Sequence, residues 1–546
     1  MDDHQRSSSS PSKILHGETS PLLQQDDTSY RRRRSATEFS LCSLLLSSIF
    51  AAAIFLVAGI FIGRGTTRQS CTISSHVFSD YAQVQPPRLT ATLNRQQLHP
   101  AVRQTLPQLE AITTHIAAGP GAALGYNWLA NLTDFFGPRH VGSEGLELAI
   151  DHVLQQTKKQ GFDNVVGEPV RNLINWIRDE ETLTMLEPRN QLDIPVLGIG
   201  GTVSTPNNNF LTAEAVVVRT FDEMHQLGAA DLLRGKILVF NQVWEGYGKS
   251  GRYRRGAAQA ERYGVVATLT RSVTPFSLRT LHTGTGADAS IPAACITVED
   301  AEMLWRMQQR KQKIVLRLKI TSRTAGLTDS RNVAFEITGS EYPNEVILLS
   351  GHFDSWDVGQ GAMDDGGACA AVWQALTALK TLELKPKRTI RAVFWMAEEL
   401  LGYEGSRQYF QNHKETGEKF LTVFESDMGV FKPLKNGTIA ISSTINLPVI
   451  QSLAAVLQSQ LDVRLQAKSS RSRFGGDVTW WERDGSASFS LRHDRSDYYF
   501  WFHHTAADTV TVYKSSDVDY ESAVIATMAH VLANLEEDVI FAGDLP

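Results

Sequence analysis

Apolar positions along this chain change period several times, and each change predicts an element. Val346-Ile347-Leu348-Leu349 is a continuous apolar run that breaks at Ser350-Gly351, the form of a buried strand running into a loop. Residues 389–396 and 421–424 are two more such runs. Between them, the alanine-rich stretch 366–380 and the stretch around 406–414 read as helices. Residues 332–338 alternate apolar and polar, and strand–helix–strand order at this spacing predicts an α/β fold with a doubly wound mixed sheet. Upstream, 144–160 carries apolar residues at helical spacing until Gly161 stops it. Residues 190–325 look different. Short β-rich runs alternate with glycine-rich turns, and no dense cluster of histidines and acids appears. This stretch reads as an inserted β-rich domain, with 121–189 and 326–546 forming the α/β domain around it.

The N-terminal pattern is of another kind. Residues 1–39 are polar with no apolar period and read as a disordered cytosolic tail. Residues 40–63 hold an uncharged run, Leu41 to Ile62, long enough to cross a bilayer as a helix. Arg31-Arg32-Arg33-Arg34 precedes it, which puts the N-terminus in the cytosol and predicts a single-pass type II anchor. A cleaved signal peptide is the alternative. Residues 64–120 are polar and read as a stalk. Glu18 with Leu22 and Leu23 fits an acidic dileucine signal for sorting adaptors, so the endosome–lysosome or vacuole, or the cell surface, is the expected destination. Asn131 and Asn436 open Asn-x-Thr sequons that such a topology exposes to glycosylation.

With 546 residues the chain needs more than one core. A net charge of -6 with no dominant basic face excludes a nucleic-acid partner. The four cysteines, Cys42, Cys71, Cys295 and Cys369, fit neither a zinc knuckle nor a disulfide framework. Cys42 and Cys369 read as small buried hydrophobes. Cys71 has three open readings: a pair with its copy in a second chain, a link to Cys295, or a free thiol.

The chemistry gathers where the apolar strands end. The first ends in His352-Phe353-Asp354, with Asp364-Asp365 one loop later; the second in Glu398-Glu399; the third in Glu425-Ser426-Asp427. A fourth group, His503-His504 with Asp508, follows much later. Imidazoles and carboxylates at the carboxyl ends of strands are how an open sheet assembles a metal site.

These pieces resemble peptidase family M28, the co-catalytic dizinc peptidases. The matching motifs are Gly351-His352-Phe353-Asp354-Ser355, Gly361-Ala362-Met363-Asp364-Asp365-Gly366-Gly367, Ala397-Glu398-Glu399, Glu425-Ser426-Asp427 and His504-Thr505-Ala506-Ala507-Asp508-Thr509. The resemblance implies two Zn2+ per chain, with Asp364 bridging, His352 and Asp427 on one ion, and Glu399 and His504 on the other. It implies Glu398 as the general base that takes a proton from a metal-bridging water. It also implies a protease-associated domain at 190–325 and a possible homodimer. Asp354, two residues beyond His352, is expected behind that imidazole to orient it, with a hydrogen bond to a loop amide as the alternative; Asp508 is expected in a similar part near His504, or as the cap of the next helix. His503 is the rival to His504. Gly475-Gly476-Asp477 and Tyr498-Tyr499 fall where relatives contact substrate. The function expected is a membrane-anchored exopeptidase acting on dipeptides or short peptides. A non-catalytic receptor on the same scaffold and a single-zinc glutaminyl cyclase are the competing readings, which metal content and peptide hydrolysis separate.

Overall fold

Four parallel strands set the frame. Arg388–Trp395, Tyr342–His352, Lys419–Glu425 and Ala487–His493 lie side by side in that order. Their residues are apolar on both faces because helices cover both faces, as parallel sheets require. The sheet continues at each side: Arg323–Ile337 pairs antiparallel with Arg388–Trp395 and Asp163–Ile177 antiparallel with Arg323–Ile337, while Asn436–Ile441 pairs antiparallel with Ala487–His493 and Arg464–Ser469 parallel with Asn436–Ile441. The result is an eight-stranded mixed α/β sheet. This computed structural model describes residues 93–470 and 473–536, all within one compact unit that starts at Pro87. The tail, the apolar run at 41–62, the dileucine signal, Cys42 and Cys71 lie outside the described residues. Among the described residues no helix is long and apolar enough to cross a membrane. Cys295 and Cys369 are buried, and among the described residues neither pairs with another cysteine.

Two helices, Gly367–Thr381 and Ser515–Ala533, are buried nearly all round; the first is apolar on most of its surface, and the second is apolar mainly over its C-terminal half. Trp128 of helix Leu124–Phe136 stacks on Trp373 at 5.5 Å between ring centres and joins a third helix to this layer. Helix Glu144–Lys159 starts at Ser143, whose hydroxyl accepts from the Leu146 amide.

The expectation of a stalk up to residue 120 is corrected. Pro100–Gln104 and Leu106–Ala118 are helices. Leu109, Ile112 and Ile116 of the second are fully buried in the main core. The spacing of Leu106, Leu109, Ile112 and Ile116 is an apolar helical stripe, and the polar residues between them hid it.

The second sheet begins at Glu181 and closes at Ile320, against an expected insertion at 190–325. Strands Leu211–Val218, Ile237–Phe240, Ala267–Arg271 and Ala293–Ile296 pair in parallel. Helices Phe221–Ala229 and Val298–Gln309 belong to the same segment, so it is α/β where the reading was β-rich. The missed signal is Thr220-Phe221-Asp222-Glu223, a reciprocal cap: Thr220 accepts from the Glu223 amide while Glu223 accepts from the Arg219 amide.

Helix Glu404–His413 leads back from the Glu398–Glu399 turn, and His413 anchors its end. Its ring nitrogens stand 2.6 Å from Glu418 and 2.9 Å from Glu168. Burial opposes a charge there, but the two carboxylates win and raise the imidazole to about 9. A raised folded value above the ordinary 6.5 means stability that is full below about pH 6.5 and lost as pH rises through about 9. His413→Gln is therefore expected to flatten the fall in urea midpoint between pH 6.5 and 9, and an unchanged profile would count against the ion pairs. Ile112→Ala should cost about 2–5 kcal/mol in urea unfolding, as for a core residue, whereas a stalk residue would cost almost nothing.

Candidate metal centre

The parallel strands deliver their polar ends to one edge. His352 is the last residue of Tyr342–His352, Glu398 and Glu399 lie just past Trp395, and Asp427 just past Glu425. Asp364 arrives from the loop before helix Gly367–Thr381. His503 and His504 follow the short helix Ser496–Phe502.

Asp364 is the centre of the arrangement. It is buried, and its two oxygens face different imidazoles: Oδ1 stands 3.1 Å from His352 Nε2 and Oδ2 3.2 Å from His504 Nε2. Asp427 Oδ1 is 3.6 Å from His352 Nε2, and Glu399 Oε2 is 2.9 Å from His504 Nε2. Ligand atoms of His352, Asp364 and Glu399 lie within 4.8 Å of one another, and so do those of Asp364, His503 and His504. Ligands on a tetrahedral zinc with bonds near 2.0–2.1 Å stand about 3.3 Å apart, and the pair separations of 2.9–3.6 Å lie close to that spacing. Asp364 Oδ2 and Glu399 Oε1 are buried without a hydrogen-bond partner, which a cation would supply.

Both expected imidazole ligands are held in the tautomer a metal needs. His352 Nδ1 is 3.0 Å from the Asp354 carbonyl and His504 Nδ1 is 3.3 Å from the Thr283 carbonyl. A ring that donates from Nδ1 to a carbonyl leaves Nε2 free as a lone-pair donor. His503 Nε2 is 3.6 Å from Asp364 Oδ2, and its ring stacks on His504 at 3.5 Å. The closer approaches to Asp364 and Glu399 favour His504 as the ligand.

The expected part of Asp354 changes. Its carbonyl orients His352, while its carboxylate accepts from the amides of Glu398 and Glu399 at 3.1 and 3.3 Å. Asp354 therefore places both acids of the next strand end. Ala397 at φ 64° turns the chain there, so Glu399 is buried while Glu398 remains half-buried at the cleft. Asp508 does not brace His504. It accepts from the amides of Met363 and Asp364 at 2.6 and 3.2 Å and so fixes the bridging loop.

Negative charge accumulates here. Burial, then the Asp427 and Glu399 carboxylates, push Glu398 well above the ordinary glutamate range. Burial and Asp364 raise Glu399 to about 7. Asp364 moves the other way despite burial, because His352 and His504 hold it ionised. Carboxylates packed this closely in a dry site favour divalent cations.

Three comparisons with known proteins agree. Residues 332–529 match the model of Peptidase family M28. Carboxypeptidase Q of Bos taurus is 42% identical over 417 residues, 76% of this chain and 86% of that protein. The crystal structure of a Peptidase M28 precursor from Shewanella amazonensis superposes with a TM-score of 0.73 at 32% identity, covering 81% of this chain and 99% of that one. The chain belongs to peptidase family M28. A zinc aminopeptidase from Bacillus subtilis, at a TM-score of 0.57 and 19% identity, shares the fold.

In this M28 chain the cleft over the site has a volume of ≈ 370 Å³ and is lined by residues of both sheets. Glu398, Tyr403, Asp427 and Tyr499 come from the catalytic side, and Tyr247, Arg254 and Thr285 from the insertion. Thr285 donates to the Glu399 carbonyl at 2.7 Å, and Arg178 pairs with Asp357 of the His352 loop at 2.7 and 3.0 Å. The Tyr499 hydroxyl donates to Asp427 at 3.4 Å, whereas Tyr498 packs on Phe431 and Trp501. Asp477 is fully buried behind Glu425 and does not line the cleft.

Sequence reasoning missed Arg139. It is fully buried, no acid among the described residues forms an ion pair with it, and its guanidinium donates to the carbonyls of Phe353, Gln360 and Gly361 at 2.7, 2.9 and 2.7 Å. Those carbonyls bound the loop that separates His352 from Asp364. No pattern in 137–140 advertises this, because the partners are backbone oxygens more than two hundred positions away. Arg139→Ala should weaken zinc binding about 10–100-fold, as loss of a ligand's support does, read by competition against a chromophoric chelator. Unchanged affinity would show that the loop holds itself.

Proposed function

We propose that this M28 metallo-exopeptidase holds two zinc ions and hydrolyses dipeptides or short peptides with Glu398 as general base. The observation that carries the reading is Asp364, whose two oxygens serve two separate imidazole–carboxylate groups. His352 and Asp427 would hold one ion, Glu399 and His504 the other. When bound, such a pair acidifies water and polarises a carbonyl. The remaining work falls to the chain's own groups. Glu398 is half-buried at the cleft, with burial and two neighbouring carboxylates raising its proton affinity. It can therefore accept a proton from the attacking water and deliver it to the departing amine. Asp354 holds its amide and fixes where that carboxylate points.

In the same proposal the catalytic unit is lumenal or extracellular on a type II anchor. The uncharged run at 41–62 and the arginines at 31–34 support this, and the exposed positions of Asn131 and Asn436 suit glycosylation there.

Glu398→Ala is expected to retain two zinc ions per chain and lose about 10²–10⁴-fold in kcat on a dipeptide. Chelation of the wild-type protein should abolish turnover, and added zinc should restore it. Near-wild-type turnover in the variant would remove Glu398 from the mechanism.

A further inference from the structure

The insertion has a core of its own. Leu183, Val217, Val239, Leu269, Ala294 and Leu318 pack together, apart from the cluster beneath the catalytic sheet. Where it meets the metal centre, hydrogen bonds make the join. Thr274 donates from Oγ1 to the Phe500 carbonyl at 2.7 Å. His282 Nδ1 stands 2.9 Å from the His503 carbonyl, and only a protonated nitrogen satisfies that oxygen. The Thr283 amide donates to the His504 carbonyl at 3.1 Å, and the Thr283 carbonyl accepts from His504 Nδ1 at 3.3 Å. Thr285 Oγ1 lies 2.7 Å from the Glu399 carbonyl and 3.1 Å from that of Leu400. His282 and Thr283 are fully buried, so water cannot replace their bonds.

Gly284 makes this close approach possible. Its φ of 137° favours glycine, and a side-chain carbon there would stand 2.8 Å from His504 Nδ1. The backbone of the insertion thus passes directly against the imidazole.

The two groups of ligands are supported differently. Glu399 and His504 each carry a hydrogen bond from residues 283–285. His352 is oriented by the Asp354 carbonyl, and Asp427 accepts from Tyr499, both within the catalytic segment. Among the described residues no hydrogen bond from the insertion reaches His352 or Asp427. Arg178, just before the insertion, pairs with Asp357 in the loop beyond His352.

We propose that residues 282–285 are positioning residues for the Glu399–His504 ion alone, and that the His352–Asp427 ion does not depend on them. This rests on the two-ion reading above and adds a division of labour to it. A ligand already aimed at the ion loses less freedom when the ion binds, and groups that aim ligands act on metal affinity in this way. A domain with its own core and a hydrogen-bonded join can move relative to its neighbour. Docking of the insertion and binding of that one ion are therefore linked, and each strengthens the other by the same factor.

The test uses the full chain and reads zinc affinity rather than turnover. Competition against a chromophoric chelator should resolve two binding steps in the wild type. Thr285→Val and His282→Leu remove a donor and fill its space. Each should weaken one step about 10–100-fold and leave the other unchanged. Thr285→Ser and His282→Asn keep a donor and should restore the weakened step. Zinc-edge anomalous diffraction from Thr285→Val crystals holding one zinc per chain should place that ion beside His352 and Asp427. In the unsubstituted chain, hydrogen exchange of the segment 281–286 should slow with the same step that Thr285→Val weakens. Both steps weakened by one factor, or neither weakened, would overturn the selective support, as would a remaining ion beside His504. Losses that Thr285→Ser and His282→Asn fail to restore would reduce both residues to packing and overturn it too. Exchange that slows with the other step, or with neither, would break the linkage and the proposal with it. A wild type that binds a single zinc would remove the two-ion reading itself, and this inference would fall with it.

Discussion

Asp364 is buried between two imidazoles at the edge of a parallel sheet, and its charge has to be met from both sides. Glu399 and Asp427 crowd the same space, with Glu398 at its rim. In a low-dielectric site, like charges at these separations cost far more than they do in water. Divalent cations would resolve that conflict, and protonation of several groups is the alternative. The rest of the architecture keeps these acids together against their mutual repulsion.

The means are mostly backbone hydrogen bonds to charged side chains. Asp354 holds the amides of Glu398 and Glu399, Asp508 holds those of Met363 and Asp364, and Arg139 gathers three carbonyls of the intervening loop. Each support comes from a different part of the chain, so the centre is tied to the packed sheet and helices beneath it. The insertion completes the enclosure through Thr283 behind His504 and Thr285 over Glu399. A separable accessory domain would not supply such contacts.

The sheet and the clustering of these site residues were legible because two simple patterns coincide. Continuous apolar runs identify strands enclosed on both faces, and the polar residues that break those runs are the ones the fold gathers at one edge of the sheet. His352, Glu399 and Asp427 each stand three residues past the end of an apolar run, and Asp364 is marked by its glycine-rich loop. The helix at 106–118 was hidden because its four apolar positions are diluted by polar neighbours. The insertion looked β-rich because its helices are short and their threonine caps were overlooked. Arg139, Thr283 and Arg254 were out of reach for another reason. Their partners are carbonyls and aromatic or imidazole rings, which leave no periodic trace in a single sequence.

The central claim is that one carboxylate joins two metal ions. Anomalous diffraction at the zinc edge from crystals of the zinc-loaded chain tests it most directly. The account predicts two peaks per chain, both in contact with Asp364, one beside His352 and Asp427 and the other beside Glu399 and His504. One peak alone, or two that do not share Asp364, would contradict it.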